Sequence, residues 1–500
     1  MKKLFIKELQ ISNYKCFEKE NIKFNTPDLI NKGSGLNILI GENGNGKTTI
    51  LEAINYMTLN SYSAENKLNI SDFKDYSKEI IINGITEEEF KCKMESFYTG
   101  SYFENKGFQF IAENRKLKER GKLLSSPFNI KNNFINITDN YIKSDGTDSG
   151  KPIPWNYGGF DNRIIDDGEI NIFLFDKNRN RHSNTGSYKT TFDKITDDLN
   201  WKFINNISDE NKKELINNIC GEYFKNVLDI SQKGTGKKLG KEMSNFFENK
   251  DFENLKIDLL NLLHPFSSSF FTIREDSDLK QINIRDLGSG VEIILSLLLV
   301  RSIAGESKGS IIYLIDEPEL HLHPKAQEQL LELLLEESKN KQIFISTHSP
   351  YMFKNCLSYK GVGLYILNKN DKGKIEIHNS RSNGWGLFPW SPSWGEINYY
   401  SYSLPTVEFH NELYGFIQER TGSYNEDLME KYFVNQSCKK NKVWKKLKNG
   451  TVEPGYNISL PGYIRNRIHH PENTNNIQET IDELKESISL MISIIKTNKL

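Results

Sequence analysis

Residues 36–54 read LNILIGENGNGKTTILEAI, and they are the most informative part of the chain about its fold. Its middle, from Gly41 to Thr48, matches the phosphate-loop pattern G-x-x-x-x-G-K-[ST] at every fixed position. The apolar run before the loop predicts a buried strand, and the residues from Thr49 onward begin a helical pattern. A strand, a loop and a helix in this order separate a phosphate loop from an ordinary glycine-rich turn. We therefore predict that the chain binds a nucleoside triphosphate.

The phosphate loop carries the groups that nucleotide binding needs. Its glycines let the backbone turn N–H groups toward an anion, and the following helix adds the positive end of its dipole. We expect the Lys47 ammonium to reach the β- and γ-phosphates and the Thr48 hydroxyl to be a ligand of Mg²⁺. The residues predicted to surround the nucleotide here are Asn43, Gly44, Asn45, Gly46, Lys47, Thr48 and Thr49. The predicted cofactors are therefore ATP and Mg²⁺.

Two further apolar runs end in polar residues suited to ATP hydrolysis. Residues 311–315 read IIYLI, as a buried parallel strand should, and Asp316 and Glu317 follow directly. At the carboxyl end of a strand, where α/β sheets place their ligands, we expect Asp316 to hold Mg²⁺ and Glu317 to orient or deprotonate the attacking water. Residues 342–346 form a second apolar strand, and His348 lies just beyond it. If the two strands are neighbours, His348 is a candidate sensor of the γ-phosphate; a purely structural histidine is the alternative.

Length and composition limit the classes of protein to which the chain can belong. Its 500 residues exceed one compact core, so we expect two or more domains. The formal net charge of -1 gives no general attraction to nucleic acid or membrane. The five cysteines show no C-x-x-C pairing, which argues against zinc and against a disulfide framework. No apolar run is long enough for a signal peptide or a membrane span, so we expect a cytoplasmic protein with no membrane partner.

The middle of the chain is rich in lysine and asparagine. Residues 61–285 contain short strand candidates at 107–111 and 170–175. Helical patterns occur there at 212–224 and 252–263. We interpret this region as an insertion and lobe of the nucleotide-binding domain.

A turn-rich aromatic stretch at residues 384–395 marks a domain boundary, and the remaining sequence is typical of helices. We predict a first domain over residues 1–395 and a helical domain over 396–500. The predicted fold class is α/β: an ATPase head with a mixed sheet and helical insertions, followed by an α-helical bundle.

The order of the motifs resembles that of the ABC-type ATPases of the SMC, RecF and OLD-like group. The resemblance covers residues 1–60 and 285–350. It rests on LQISNYKCF from Leu9, the phosphate loop, LGSG from Leu287, DEPELHLHP from Asp316 and STHSP from Ser346. An ABC-type head implies that two copies sandwich two ATP molecules, so hydrolysis would require a homodimer or a higher homo-oligomer.

The resemblance also assigns roles to individual residues. It implies that Ser289 and Gly290 of one copy contact the γ-phosphate held by the other, and that His348 is the switch histidine. The chain departs from the family pattern at Gly288, where serine normally follows the leucine. The carboxylate cluster of a Toprim nuclease, which OLD enzymes carry, is missing after His348, so we do not expect that activity.

The C-terminal segment contains a second motif. Residues 463–471 read YIRNRIHHP, in which Arg465, Asn466 and His470 match the R-N-x-x-x-H motif of HEPN domains. That resemblance implies a helical bundle and a metal-independent endoribonuclease, in which the histidine acts as acid or base and the arginine stabilises phosphate charge. A helix is predicted at residues 406–419. An apolar stripe in the last segment is formed by Ile477, Ile481, Leu484, Ile488, Met491 and Ile495.

A lysine-rich run lies in front of this motif, and it surrounds Trp444. The lysines are Lys439, Lys440, Lys442, Lys445, Lys446 and Lys448. In one interpretation, these lysines hold an RNA backbone while Trp444 stacks on a base. In the other, they are only a solvated face of the protein.

Two functional hypotheses stay open. In the first, the ATPase is an antiphage defence sensor that controls its own C-terminal RNase, with RNA such as tRNA as substrate. In the second, the ATPase is a scaffold for a separate nuclease partner, as in Septu-like modules. A RecF-like role in DNA repair is a third and weaker hypothesis.

Overall fold

A computed structural model describes most of the chain. The described residues are 2–58, 68–94, 100–114, 118–119, 122–123, 128–154, 164–166, 168–175, 235–248, 250, 253, 255–258, 270–274, 281–283, 291, 294–295, 297–298, 301, 309–320, 322–370, 372–382 and 384–500. They form two compact units, Met1–Leu39 with Asn43–Gly363, and Ile40–Glu42 with Leu364–Leu500.

The first unit is a mixture of strands and helices. Its strands are β1 (Ile6–Tyr14), β2 (Phe17–Lys23), β3 (Leu36–Gly41), β4 (Ile80–Met94), β5 (Ser101–Asn114), β6 (Lys118–Glu119), β7 (Lys122–Leu123), β8 (Phe128–Asn136), β9 (Asn140–Ile142), β10 (Asp148–Pro152), β11 (Ile170–Phe175), β12 (Leu255–Asp258), β13 (Phe270–Arg274), β14 (Gln281–Asn283), β15 (Ser310–Asp316) and β16 (Gln342–Thr347). Its helices are α1 (Lys47–Tyr56), α2 (Thr235–Phe247), α3 (Pro324–Glu337) and α4 (Pro350–Lys354), with 3₁₀ turns at Ile70–Asp72 and Asn355–Ser358.

A buried sheet positions the nucleotide motifs. In the first unit its strands lie in the order β11, β15, β16, β3, and every residue of β3, β15 and β16 is buried. Strand β15 runs parallel to both β11 and β16, and Asp316 is paired with Ser346. Continuous apolar runs form these strands because both faces of a parallel sheet are covered. The strands predicted at residues 170–175, 311–315 and 342–346 are confirmed.

A second, antiparallel sheet completes this unit. Its strands lie in the order β10, β9, β5, β4, β1, β2, and β8 pairs with β5. The predicted strand at residues 107–111 is the middle of β5. Helix α1 contacts β15 and β16 of the first sheet and β4 of the second, so it packs between them. This arrangement confirms the predicted α/β class with a mixed sheet.

One prediction for the middle region is wrong. Residues 255–258, expected within a helix, form β12, which pairs antiparallel with β13. The local sequence Leu-Lys-Ile-Asp alternates apolar and polar residues, and pairing with a neighbouring strand prevails over the weak helical periodicity. The helix predicted at residues 212–224 lies outside the described residues.

The second unit is mainly helical. Its helices are α5 (Trp394–Tyr402), α6 (Val407–Thr421), α7 (Glu426–Asn435), α8 (Leu460–His469) and α9 (Ile481–Asn498). Its strands are β17 (Gly363–Lys369), β18 (Ile375–Asn379), β19 (Lys442–Trp444), β20 (Leu447–Lys448), β21 (Thr451–Val452) and β22 (Tyr456–Ile458). The helical C-terminal region is confirmed, and the helix expected at residues 406–419 is α6. Short strands replace helix around residue 450 because the lysine-rich run pairs with residues 451–458.

The apolar stripe of the last helix is shorter than predicted. Leu484, Ile488, Met491 and Ile495 are buried in the core of the unit, but Ile477 and Ile481 are 86% and 74% exposed. The predicted stripe does not extend to its first residues because α9 begins only at Ile481, which leaves Ile477 before the helix. Among the described residues, no helix is long and apolar enough to cross a membrane.

Candidate active site

The phosphate loop connects β3 to α1 through two glycines in left-handed conformations. Gly44 has φ 77° and Gly46 has φ 85°. A Cβ atom on Gly46 would lie 2.6 Å from Cζ of Phe17 and 2.8 Å from Sγ of Cys16. Glycine is therefore required at position 46 for its backbone conformation and for the space it leaves to β2 and the turn before it.

The loop residues divide into a buried and an exposed group. Asn43 and Gly44 are exposed, whereas Asn45, Lys47 and Thr49 are buried. Helix α1 begins at Lys47, and its first turn contains no carboxylate. The positive end of the helix dipole thus favours an anion such as a phosphate at this position.

The Thr48 hydroxyl and the Asp316 carboxylate meet at the edge of the sheet. Thr48 Oγ1 donates to Asp316, at 2.9 Å from Oδ1 and 3.2 Å from Oδ2. The Ser346 hydroxyl also donates to Asp316 Oδ1. Asp316 is only 1% exposed, so these hydrogen bonds offset part of the cost of burying its side chain. A hydroxyl and a carboxylate are oxygen ligands of the kind that Mg²⁺ prefers, so this pair fits the predicted metal.

Glu317 and His348 face each other beside this pair. His348 Nε2 lies 3.5 Å from Glu317 Oε1, and both side chains are partly exposed. Glu317 has the unusual φ of 48°, and its backbone N–H donates to the carbonyl of Ser346 at 3.0 Å. Left-handed backbone in a residue other than glycine often marks a functional site. The structure thus brings together Thr48 in the first turn of α1, Asp316 and Glu317 at the end of β15, and His348 after β16.

The predicted contacts from the signature motif cannot be placed in the same way. Ser289 and Gly290 lie outside the described residues. Downstream of them, Ile294, Leu295, Leu297 and Leu298 are helical and buried.

Sequence reasoning missed two residues of the site. Ser346 contacts Asp316, and its Oγ also accepts the Glu317 N–H at 3.1 Å. Glu319 hydrogen-bonds the turn that carries His348. Both residues lie inside the motifs STHSP and DEPELHLHP. The signal that could have identified them is a polar residue at the end of an apolar run or shortly after it.

In the C-terminal motif, Asn466 is buried and Arg465 is half-buried. Asn466 Nδ2 donates to Oε2 of Glu426 at 3.1 Å. The guanidinium of Arg465 lies over the Tyr414 ring, 5.7 Å from its centroid. Both residues are on α8, and their partners are on other helices of the same unit. A purely structural role of Arg465 and Asn466 would produce the same contacts.

His470 is the accessible member of the motif. It caps the C-terminal end of α8, its side chain is 53% exposed, and its Nδ1 lies 3.2 Å from Oε1 of Glu472. Burial lowers the pKa of the neighbouring His469, and the nearby charges of Arg465 and His470 lower it further. Arg465, His469 and His470 therefore lie close together at the C-terminal end of α8.

The lysine-rich run cannot use Trp444 to stack on a base. Trp444 is 2% exposed and packs in the core of the unit, with its ring 5.8 Å from that of Tyr463. The indole is buried because β19 pairs with β22 and directs this residue inward. Three of the lysines also have carboxylate partners: Lys440 with Glu430, Lys442 with Glu483 and Lys446 with Glu426.

Comparison with known proteins gives several relatives. The chain is 25% identical to the Retron Vc95 probable ATPase of Vibrio cholerae, over 77% of each chain. It is 26% identical to the Septu protein PtuA of Bacillus thuringiensis, over 70% of this chain and 73% of PtuA. It is 23% identical to the OLD nuclease of Thermus scotoductus, over 73% of this chain and 63% of the nuclease.

A solved structure and a family model also match. The structure is an SMC head bound to the C-terminal winged-helix domain of ScpA, with 18% identity, a TM-score of 0.37, and coverage of 75% of this chain and 98% of that one. The family model, described as AAA ATPase domain (AAA_15), matches residues 4–353. This match spans more than half of the sequence, and the chain therefore belongs to the AAA ATPase domain family and is an ATPase.

Proposed function

We propose that this ATPase depends on Mg²⁺ and works as a homodimer or higher homo-oligomer in bacterial antiphage defence, where it controls a nuclease. The observation that carries the ATPase chemistry is the hydrogen bond between Thr48 and Asp316, which sets two metal ligands side by side. Mg²⁺ bound there would neutralise charge on the β- and γ-phosphates.

The surrounding side chains have complementary roles in this proposal. The Lys47 ammonium binds the β- and γ-phosphates. The Glu317 carboxylate orients the attacking water and accepts its proton, and the His348 imidazole donates a hydrogen bond to the γ-phosphate. The 3.5 Å distance between His348 Nε2 and Glu317 Oε1 supports a joint action of the two groups on one water and one phosphate.

The oligomer follows from the signature motif. In the proposed dimer, Ser289 and Gly290 of one copy complete the phosphate site of the other. Glu317→Gln should retain ATP and accumulate as a dimer, which size-exclusion chromatography with light scattering would detect. Ser289→Arg should prevent that dimer. A monomeric Glu317→Gln protein saturated with ATP and Mg²⁺ would contradict the proposal.

The role in defence is supported by the relatives, which are a retron probable ATPase, a Septu protein and an OLD nuclease. For the nuclease we propose residues 396–500 as a HEPN-like RNase domain, with Arg465, Asn466 and His470 as its motif. The exposure of His470 beside the cationic Arg465 supports this choice, because an acid–base group must reach its substrate.

A second candidate is a scaffold that regulates a separate nuclease partner. It is favoured by the contacts of Arg465 with Tyr414 and of Asn466 with Glu426, which engage two motif residues within one chain. The similarity to the Septu protein PtuA points in the same direction. In this case Arg465 and His470 would be dispensable for RNA cleavage.

One experiment separates the two candidates. Purified protein is incubated with total tRNA, with and without ATP and Mg²⁺, and wild type is compared with His470→Ala and Glu317→Gln. His469→Ala is the matched control, because it removes an adjacent histidine outside the motif spacing. Cleavage that is lost only in His470→Ala and loses its ATP response in Glu317→Gln supports the RNase. An active ATPase that leaves the tRNA intact supports the scaffold.

A further inference from the structure

The turn that carries His348 is held by one carboxylate oxygen. Glu319 Oε1 accepts three hydrogen bonds: from Thr347 Oγ1 at 2.8 Å, from the His348 N–H at 2.7 Å and from the Ser349 N–H at 3.2 Å. Glu319 lies in the turn after β15, and the three donors are the last residue of β16, Thr347, and the two residues that follow it. The Glu319 side chain therefore links the turn that follows Asp316 to the turn that carries His348.

The turn that contains Glu319 is itself fixed. The Leu320 N–H donates to the carbonyl of Glu317 at 3.2 Å, which closes the turn behind the strand. Gln327 of α3 donates to the carbonyl of Leu322 at 3.0 Å and accepts from the Ser349 hydroxyl at 3.0 Å. The turn that carries Glu319 is thus held in place. Gln327 provides a second link from this turn to Ser349, at the other end of the His348 turn.

The side chain of Glu319 contacts the His348 turn through hydrogen bonds that its Oε1 atom accepts. Burial raises the pKa of Glu319 and the nearby carboxylate of Glu317 raises it further, while the hydrogen bonds from His348 and Thr347 lower it. Its second oxygen, Oε2, is buried and has no hydrogen-bond partner among the described residues. Glutamine would offer the same acceptor at Oε1 and replace only the oxygen that lacks a donor.

We propose that Glu319 is a positioning residue for ATP hydrolysis, which holds the His348 turn so that the imidazole stays beside Glu317. The inference rests on the proposed role of His348 at the γ-phosphate. Removing the Glu319 side chain would leave the N–H groups of His348 and Ser349 without their acceptor. The turn would then relax, and the imidazole would lose its place.

The expected effect is on turnover. A displaced catalytic group commonly lowers the rate by about 10- to 100-fold, so Glu319→Ala should reduce kcat by that factor. The KM for ATP should change less than about threefold, because the binding of ATP before hydrolysis depends mainly on the phosphate loop. Glu319→Gln should retain kcat within about threefold of wild type, since the acceptor survives.

The test compares wild type, Glu319→Ala, Glu319→Gln, His348→Ala and the double variant Glu319→Ala with His348→Ala. Glu336→Ala is the control, because this exposed residue on α3 pairs with Lys32 and Lys339 outside the site. If Glu319 acts through His348, the double variant should be no slower than His348→Ala. Amide hydrogen exchange at His348 and Ser349 should also accelerate in Glu319→Ala, without nucleotide present.

Several outcomes would overturn the inference. They are a wild-type kcat for Glu319→Ala, a multiplicative loss in the double variant, and a Glu319→Gln protein as slow as Glu319→Ala. If Glu319→Ala does not fold, Glu319→Asp takes its place; its carboxylate is one methylene short of the turn and should show the same loss and the same faster exchange. A wild-type kcat for His348→Ala would refute the sensor role of His348, whereas the exchange at its amide would still report on Glu319.

Discussion

The Thr48 hydroxyl donates to the Asp316 carboxylate, with Oγ1 2.9 Å from Oδ1, although the two residues are 268 positions apart in the chain. One belongs to the first turn of α1 and the other is the last residue of β15. The fold therefore assembles a pair of oxygen ligands from two distant motifs, and Ser346 fixes the carboxylate from the neighbouring strand.

Loss of one charge at this pair should abolish most hydrolysis. Asp316→Asn keeps the size of the side chain and an acceptor for Thr48, but it removes the negative charge that holds a divalent cation. We expect kcat to fall on the order of 100-fold, the size of effect seen when one preorganised electrostatic group is removed. Titration with Mg²⁺ should show a weaker apparent affinity. Asp75→Asn, at a half-exposed site that pairs with Lys78, is the control, and equal Mg²⁺ curves for both variants would refute the assignment.

Alanine substitutions at the two left-handed glycines of the phosphate loop would separate the effect of backbone strain from that of steric crowding. A Cβ atom on Gly44 would meet no atom within 4 Å, whereas one on Gly46 would meet Phe17 and Cys16. Both alanine variants carry the left-handed strain of about 1–2 kcal/mol. The free loop would relieve this strain by leaving the conformation that binds phosphate, which would weaken ATP binding by up to about tenfold. Gly46→Ala should weaken ATP binding further than Gly44→Ala, as measured by calorimetric titration. Phe17→Ala combined with Gly46→Ala should recover part of that extra loss; equal affinities for the two single variants would contradict this account.

The sequence allowed the sheet edge to be predicted because its strands are continuous apolar runs with polar residues at their ends. Strands β11, β15 and β16 and the neighbourhood of Asp316 and His348 followed from that pattern. The contacts of Ser346 and Glu319 did not, because they depend on strand register and on the path of a turn. Periodicity shows which residues avoid water but not what they touch. The lysines around Trp444 suggest a ring that can stack on a base, whereas the pairing of β19 with β22 buries it.

Asn466 and His470 should respond differently to removal of their side chains. Asn466→Ala breaks a buried hydrogen bond to Glu426 and should cost about 1–2 kcal/mol of stability. His470→Ala changes an exposed side chain and should stay within about 0.5 kcal/mol of wild type. Hydrogen exchange of α8 amides would measure both. An equally large loss in His470→Ala would show that this histidine is structural, and its effect on RNA cleavage would then say nothing about chemistry.

His410 should make the C-terminal unit less stable in acid. Its ring is fully buried, its Nε2 lies 3.0 Å from the Ser487 hydroxyl, and it stacks on Tyr414. Burial lowers the pKa of His410 to about 3, from an ordinary value of 6.5. Between these two pH values the unfolded chain binds the proton and the folded chain does not. The stability contribution is therefore complete above pH 6.5 and is lost as the pH falls toward 3.

The slope of this loss can be measured directly. Each unit of pH in that window should cost up to ~1.4 kcal/mol for one proton taken up on unfolding. The opening free energies of α6 and α9, from hydrogen exchange corrected for the intrinsic rate at each pH, should fall accordingly between pH 6.5 and 5. His410→Gln, which stays neutral and retains a hydrogen-bond partner for Ser487, should lack this component. A variant with the same pH slope as wild type would show that another group controls acid sensitivity, because the buried imidazole is the only titrating group that the substitution removes.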